Sequence, residues 1–238
     1  MAKINRIYFN LILIDFYNFR QMNKFLSFLS LIFFITFFSC SPDKKNSNST
    51  EPTKIDKTNN TVIVDCHYTF EEAIAGSKAP KAVIQQLQLI NVHYYSTDGK
   101  VHVGQILTNR EIAEDLLHLF DFMLQVRFPI AKAIPIIKYN WNDNLSMQAN
   151  NTYSFCYRNT SYSKHAYGMA IDINPYFNPI HWKNGFQYRQ DKPLGAVYNP
   201  KRPGTFYQSH PVVLEFKKYG LRWGHNFSRN YDDHHFEK

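Results

Sequence analysis

The sequence predicts an α+β domain, a small antiparallel sheet with flanking helices, and three observations carry that expectation. Strand-like runs are short and do not alternate with helices in a repeating order, as a parallel α/β sheet would require. The Asp98-Gly99 turn signal separates two strand-like runs and predicts a hairpin. A single amphipathic helix follows, placed to cover that hairpin.

In chain order, VIQQLQLINVHYYS from Val83 to Ser96 reads first as helix and then as strand, and VHVGQIL from Val101 to Leu107 alternates as the return strand. Thr108 and Glu111 have capping-box spacing, and Ile112, Leu116, Leu119, Phe120 and Met123 recur at helical intervals up to a stop at Pro129. Their spacing explains them as core. Beyond Pro129 come short strand-like runs: AIPIIKY from Ala133, YSFCYR from Tyr153 and MAIDIN from Met169. The stretch from Asn178 to Gly204 is long and irregular, the kind of segment that forms a binding loop. A last helix is expected from Ser209 to Tyr219, with Gly220 at its C-cap.

The 238 residues, 44% hydrophobic and 19% charged, exclude wholesale disorder, and 9 Gly and 11 Pro exclude collagen-like material. From Phe25 to Phe38 the chain reads FLSFLSLIFFITFF, uncharged, after Lys24 and before Ser39 and Cys40. That is a signal-peptide core, too short for a membrane span of about 20 residues. Cys40 directly after it is expected to be lipidated and to become the first mature residue. Residues 1–39 are thus read as a signal segment. Met22 makes the more conventional start, so that residues 1–21 are an upstream extension. Residues 40–61 are polar and read as a disordered tether, and residues 62–238 as one domain. An exported protein on a lipid anchor, facing the periplasm or the cell exterior, is the implied location.

Removing residues 1–39 takes away Lys3, Arg6, Arg20, Lys24 and Asp15, so the net +8 becomes 23 basic against 18 acidic residues, or +5. No basic stripe accompanies it, so a nucleic-acid partner is not expected. Within the domain Cys66 and Cys156 are read either as a pair or as buried free thiols; no CxxC pattern suggests thiolate metal binding or redox work.

Most of the ten His residues stand singly: His67, His93, His102, His118, His181 and His210 are read as solvated or hydrogen-bonded. Two clusters differ. SKHAYGMAID carries Ser163, His165, Gly168, Ala170 and Asp172, and the terminal YDDHHFE carries Asp232, Asp233, His234, His235 and Glu237. A catalytic zinc needs three protein ligands and an open position. His165 and Asp172 can supply a nitrogen and an oxygen, and a terminal His can complete the set. A nearby carboxylate can move protons for bond cleavage, and Asp232 has suitable spacing.

The string S-x-H-x-x-G-x-A-x-D from Ser163 to Asp172, followed by Ile-Asn-Pro, resembles the zinc peptidase family of VanY-like D-Ala-D-Ala carboxypeptidases and L-alanyl-D-glutamate endopeptidases. Phe128–Ile130, the Tyr-x-Trp-x-Asp of Tyr139–Asp143, Ser146–Arg158, Asn178-Pro179 and WGHNF…DDHHFE from Trp223 are similar to the same family in the same order. The resemblance implies an LAS-type metallopeptidase fold with zinc held by His165, Asp172 and His235. It implies Asp232 as catalytic carboxylate and Arg158 as the group that holds substrate and stabilises the oxyanion, with Ser163 beside it in substrate binding. His234 competes with His235, but only His235 precedes Phe and follows an Asp by three. Asp233 likewise competes with Asp232, and His225 is read as lining the cleft or exposed. The implied substrate is peptidoglycan or a muropeptide, cut by a monomer. The rival reading is a catalytically silent wall-binding lipoprotein, whose expected mark, a missing ligand or base, is not present.

Overall fold

The computed structural model describes residues 62–238; the signal segment, Cys40 and the tether lie outside the described residues. Strand β1 (Ile63–Val64) leads to helix α1 (Phe70–Ile74), whose N-terminus carries a complete capping box. The Thr69 hydroxyl accepts from the Glu72 amide at 3.2 Å, and the Glu72 carboxylate accepts from the Thr69 amide at 2.7 Å. After the short α2 (Lys81–Ile84) come β2 (Leu87–Tyr95) and β3 (Val101–Asn109), the hairpin expected around Asp98-Gly99. They pair from Leu87↔Asn109 to Tyr95↔Val101, while β1 adds in parallel to the other edge of β3. Gly99 turns the chain at φ +83°, a conformation glycine adopts without Cβ strain.

Helix α3 (Arg110–Gln125) buries Ile112, Leu116, Leu119, Phe120 and Met123. Each such side chain contributes about 1.5–3 kcal/mol on leaving water. Its cap differs from the expectation. Asn109, not Thr108, accepts from the Glu111 amide, at 3.0 Å. Thr108 is still in the ladder, and its buried hydroxyl contacts Ser154 Oγ at 2.8 Å and donates to the Gly168 carbonyl at 3.0 Å. A long-range partner has taken the side chain that local spacing assigned to the helix.

AIPIIKY is not a strand either. Ile136–Tyr139 form a 3₁₀ turn after Pro135, whose missing N–H and fixed φ do not suit a ladder, and the chain reverses at Asn140 (φ 53°) and Trp141 (φ 61°). Asn142 then caps α4 (Asp143–Gln148). The YSFCYR run is extended but joins its neighbours through single contacts: Tyr153↔Asp172, Phe155 N–H to the Leu107 carbonyl at 3.0 Å and Cys156 N–H to the His165 carbonyl at 3.1 Å.

The remaining strands make two further small sheets, so the expected single sheet is instead three. In one, β8 (His235–Glu237) lies between β4 (Ala170–Asp172) and β6 (Arg222–Trp223); in the other, β5 (Ile180–Trp182) pairs with β7 (Asn230–Asp232). They do not merge with the hairpin because buried amides take up backbone groups in between. Asn174 Nδ2 donates to the Pro129 and Gly204 carbonyls, and the Asn151 amide brackets Ile134. Helix α5 (Pro211–Lys218) is capped by His210, and Gly220 follows at φ +79°. Outside β5, the 178–204 stretch is irregular as expected, pinned at its ends by Asn178, which donates to the Gly204 carbonyl and accepts from Phe206 N–H.

One core joins α3, α5 and the site sheet. Phe236 on β8 meets Phe216 at 4.3 Å and Phe206 at 5.2 Å between ring centres. The strand that carries His235 is therefore fixed by its own middle residue. Among the described residues no helix is long and apolar enough to cross a membrane.

Candidate metal centre

His165 sits in a 3₁₀ turn, Lys164–Tyr167, closed by Gly168 at φ +67°. A Cβ on Gly168 would lie 2.7 Å from the Asn109 nitrogen and 2.9 Å from Leu87 Cδ2, so the absence of a side chain lets this turn dock on the hairpin. Asp172 ends β4 and pairs across the ladder with His235, the first residue of β8. The two enter the site from adjacent strands, and the docked turn brings His165 to meet them.

The result is a triangle. His165 Nε2, Asp172 Oδ1 and His235 Nδ1 lie 3.0 Å from one another, and all three residues are buried. The outer ring nitrogens decide what points inward. His165 Nδ1 is 2.6 Å from the Ser154 carbonyl, which only accepts, so Nδ1 carries the proton and Nε2 presents a lone pair. His235 Nε2 donates to Glu237 Oε2 at 3.0 Å, leaving Nδ1 as the inward lone pair. Two nitrogen lone pairs and a carboxylate oxygen at this separation repel unless a cation joins them. Zinc bonds of 2.0–2.1 Å put tetrahedral ligand atoms about 3.3 Å apart, within a few tenths of what is seen. The donor set therefore fits zinc in both spacing and chemistry.

The local charges show the same demand. Burial works against ionised Asp172, but His165 and His234 outweigh it and hold the carboxyl well below its usual range. Burial also opposes a charged His235, yet Asp172 and Glu237 push it up to about 10.

Asp232 ends β7, one turn before β8, and lines the same cleft of about 250 Å³. His234 Nε2 stands 3.1 Å from Asp232 Oδ1, within ion-pair range but not aligned as a hydrogen bond, so this buried oxygen has no hydrogen-bond partner among the described residues. Burial raises the Asp232 carboxyl above its ordinary value against the pull of His234 and His235.

The competing residues are placed elsewhere. His234 Nδ1 donates to the Asn178 carbonyl at 2.7 Å, and its Nε2 lies between Asp232 and Asp172, 3.7 Å from Asp172 Oδ2. Asp233 turns away to His225 Nδ1 at 2.6 Å, and His225 stacks on Trp223 with ring centres 4.4 Å apart. His225 thus does not line the cleft.

Arg158 does line it, at the end of a clamp that the sequence did not disclose. Its Nη2 donates to Asp143 Oδ2 at 2.9 Å and to the Tyr153 hydroxyl at 3.2 Å, and Tyr153 in turn donates to Asp143. Tyr153 also stacks on His165, ring centres 5.2 Å apart. Ser163, Ile180 and Lys192 line the cleft as well. Asp143 and Tyr153 lie in segments that resemble the family, but only the tertiary fold gives them a role. Glu237 had a usable signal: two residues beyond His235 on a strand, it shares that residue's face. Cys66 and Cys156 are free thiols, each pushed up to about 11 by burial and so unreactive.

No curated protein and no solved structure matched this chain. A family model described as D-alanyl-D-alanine carboxypeptidase matches residues 157–238, a span that holds Arg158, His165, Asp172, Asp232 and His235. That match, over about a third of the chain, agrees with the motifs and with the site they form, and it is what the carboxyl-terminal part of this chain is similar to.

Proposed function

We propose that this protein is a zinc-dependent peptidase that hydrolyses stem peptides of peptidoglycan, with His165, Asp172 and His235 as the metal ligands. The observation that carries this reading is the triangle of inward lone pairs, each oriented by an outer partner. Zinc held there would supply Lewis acidity to a substrate carbonyl and make water a nucleophile near neutral pH.

The protein's own groups do the rest. Asp232, half-buried with one buried oxygen free of hydrogen bonds and its carboxyl raised by desolvation, is suited to take a proton from the attacking water and return it to the leaving amine. Arg158 would meet the carbonyl oxygen as it becomes anionic, with a planar charged group already oriented by Asp143 and Tyr153. Ser163 and the 178–204 loop, through Ile180 and Lys192, would wall the substrate. Export and a lipid on Cys40 would put this activity beside the wall, and the mature +5 would add a weak, salt-screened attraction to anionic polymer.

The family description supports a carboxypeptidase. Mass spectrometry of products from defined muropeptides tests it: free D-Ala is expected, and cleavage after L-Ala would make the protein an endopeptidase. A chelator should abolish turnover, and Asp232→Ala should lower it by about 10²–10⁴-fold with zinc content retained. A protein that binds no zinc, and whose wall digestion is indifferent to Asp232→Ala, would not be this enzyme.

A further inference from the structure

A second and larger cavity, of about 660 Å³, lies behind the Arg158–Asp143 clamp, lined by Gly76, Lys78, Asn140, Trp141, Tyr157 and Asn159. Its size is within the range of ligand pockets. Two chain segments contribute to both cavities. Asp143 and Arg158 line the cleft of the metal centre, whereas Asn140 with Trp141, and Tyr157 with Asn159, line this one. Tyr157 and Asn159, on either side of Arg158, thus line a different cavity from the one Arg158 lines, with the chain bending at Asn159.

The lining has a definite chemical character. Trp141 and Tyr157 supply aromatic surface, Asn140 and Asn159 supply exposed amides that both donate and accept, and Lys78 is the one charge. An aromatic face bordered by amides suits a ligand with apolar C–H faces and a rim of hydroxyl and acetamido groups. A polyanion would call for several cations. Nor is Trp141 a loose surface residue. Its Nε1 donates to the Ala75 carbonyl at 2.9 Å, its ring meets Phe155 edge-on at 84°, and both it and Asn140 hold left-handed backbone, at φ 61° and 53°. Two successive non-glycine residues in that region are costly, and such strain gathers at functional sites.

We infer that this cavity is a glycan subsite that binds N-acetylhexosamine units, holding the sugar strand to which a stem peptide is attached while the peptide reaches round the clamp to the metal centre. The inference rests on the peptidase reading only for which glycan is met in the wall. Sugar and scissile bond would be only a few residues apart, and an extended peptide covers about 3.3–3.6 Å per residue.

The test is direct binding of a soluble N-acetylglucosamine tetramer, by calorimetry, to the full folded protein and to three variants. Asn159→Ala and Lys78→Ala alter exposed side chains. Each is expected to weaken binding by about fivefold or more without moving the unfolding temperature. Trp141→Phe keeps an aromatic ring but should lose the fluorescence change that the tetramer produces in the wild type. Absence of binding up to about 10 mM tetramer, or binding that neither exposed-residue variant weakens, overturns the inference. So does displacement of the tetramer by heparin with a Lys78-dependent affinity, which would mark a polyanion site. Asp232→Asn separates the two readings, because it should bind the tetramer as the wild type does. Glycan binding by a protein that cuts no peptide would refute the peptidase reading alone; peptide cleavage by a protein that binds no glycan would refute this one alone.

Discussion

Glu237→Gln offers the sharpest test of how the metal triangle is held. Glu237 Oε2 accepts from His235 Nε2 at 3.0 Å, and Oε1 accepts from Arg222. A glutamine of the same shape must choose. With its oxygen toward His235, the ring keeps its tautomer and loses only the charge on its acceptor, while the new NH₂ meets the Arg222 guanidinium. The Arg222 side chain is 68% exposed, so it can swing into water, and its pair with Glu237 contributes little in any case. With the NH₂ toward His235, the proton would move to Nδ1 and remove that atom as a ligand. The first arrangement is cheaper. A hydrogen bond to a charged group contributes about 1.5–3 kcal/mol and a neutral one about 1 kcal/mol, which leaves a loss of about 1.4 kcal/mol. Zinc affinity should therefore fall by about tenfold, the lower end of what outer partners of metal-bound histidines contribute. Competition against a chromophoric chelator measures it, with His235→Gln and His234→Gln beside it. His235→Gln should abolish tight binding and His234→Gln should not. An unchanged affinity in Glu237→Gln, or a larger loss in His234→Gln than in His235→Gln, would refute the assignment.

Two further outcomes concern the hairpin. Gly104→Ala would bring a Cβ to 2.2 Å from the Ala133 carbonyl oxygen and 2.9 Å from Ala133 Cβ, both on a segment that cannot yield. A loss of about 2–3 kcal/mol, seen as an unfolding midpoint lower by about 5–10 °C, is expected in a thermal melt. His102 contacts Asp65 at 2.9 Å and Asp98 at 3.2 Å, and although burial pulls its pKa down, those two carboxylates raise it above 6.5. A raised histidine contributes stability that is fully present below its unfolded value and fades as pH rises through its folded one. The melting temperature should accordingly drop on going from about pH 6 to pH 8, and His102→Gln should flatten that part of the curve.

What the sequence made legible divides by range. The periodicity of Ile112, Leu116, Leu119, Phe120 and Met123 is a local property of one helix face, and all five are buried as that face requires. The Asp98-Gly99 turn is local too. The helix cap is misread because a distant partner displaces a local one, whereas AIPIIKY is misread because its own Pro135 rules against a strand. Thr108 had the spacing of a cap but spends its hydroxyl on Ser154 and Gly168, while an unremarked Thr69–Glu72 pair forms the box. In the site, His165 and Asp172 stood out by spacing and His235 by the family resemblance, and the structure brings all three to one point. Asp143 and Tyr153 did not, because an orienting contact leaves no spacing rule between Arg158 and a carboxylate fifteen positions earlier in the chain. The His234 ambiguity was one of phase on a turn, which only the ladder pairing of Asp172 with His235 could express.

The docked turn at Gly168 bears on where the working unit begins. Its carbonyl accepts from the Thr108 hydroxyl and from Asn109 N–H at 3.0 Å, and the proton position on His165 is set by the Ser154 carbonyl. Each of those partners precedes residue 157, where the family match starts. The border of the family match thus cuts through the site: the three candidate ligands and Glu237 lie on one side, and the groups that seat the His165 turn and orient its ring lie on the other. A graft of residues 157–238 onto another scaffold would carry the candidate ligands and Glu237 but neither the floor nor the proton orientation of His165. The hairpin and the Ser154 segment are the mount of the site: a hydroxyl and an amide from one, a carbonyl from the other, set the place and the proton of His165.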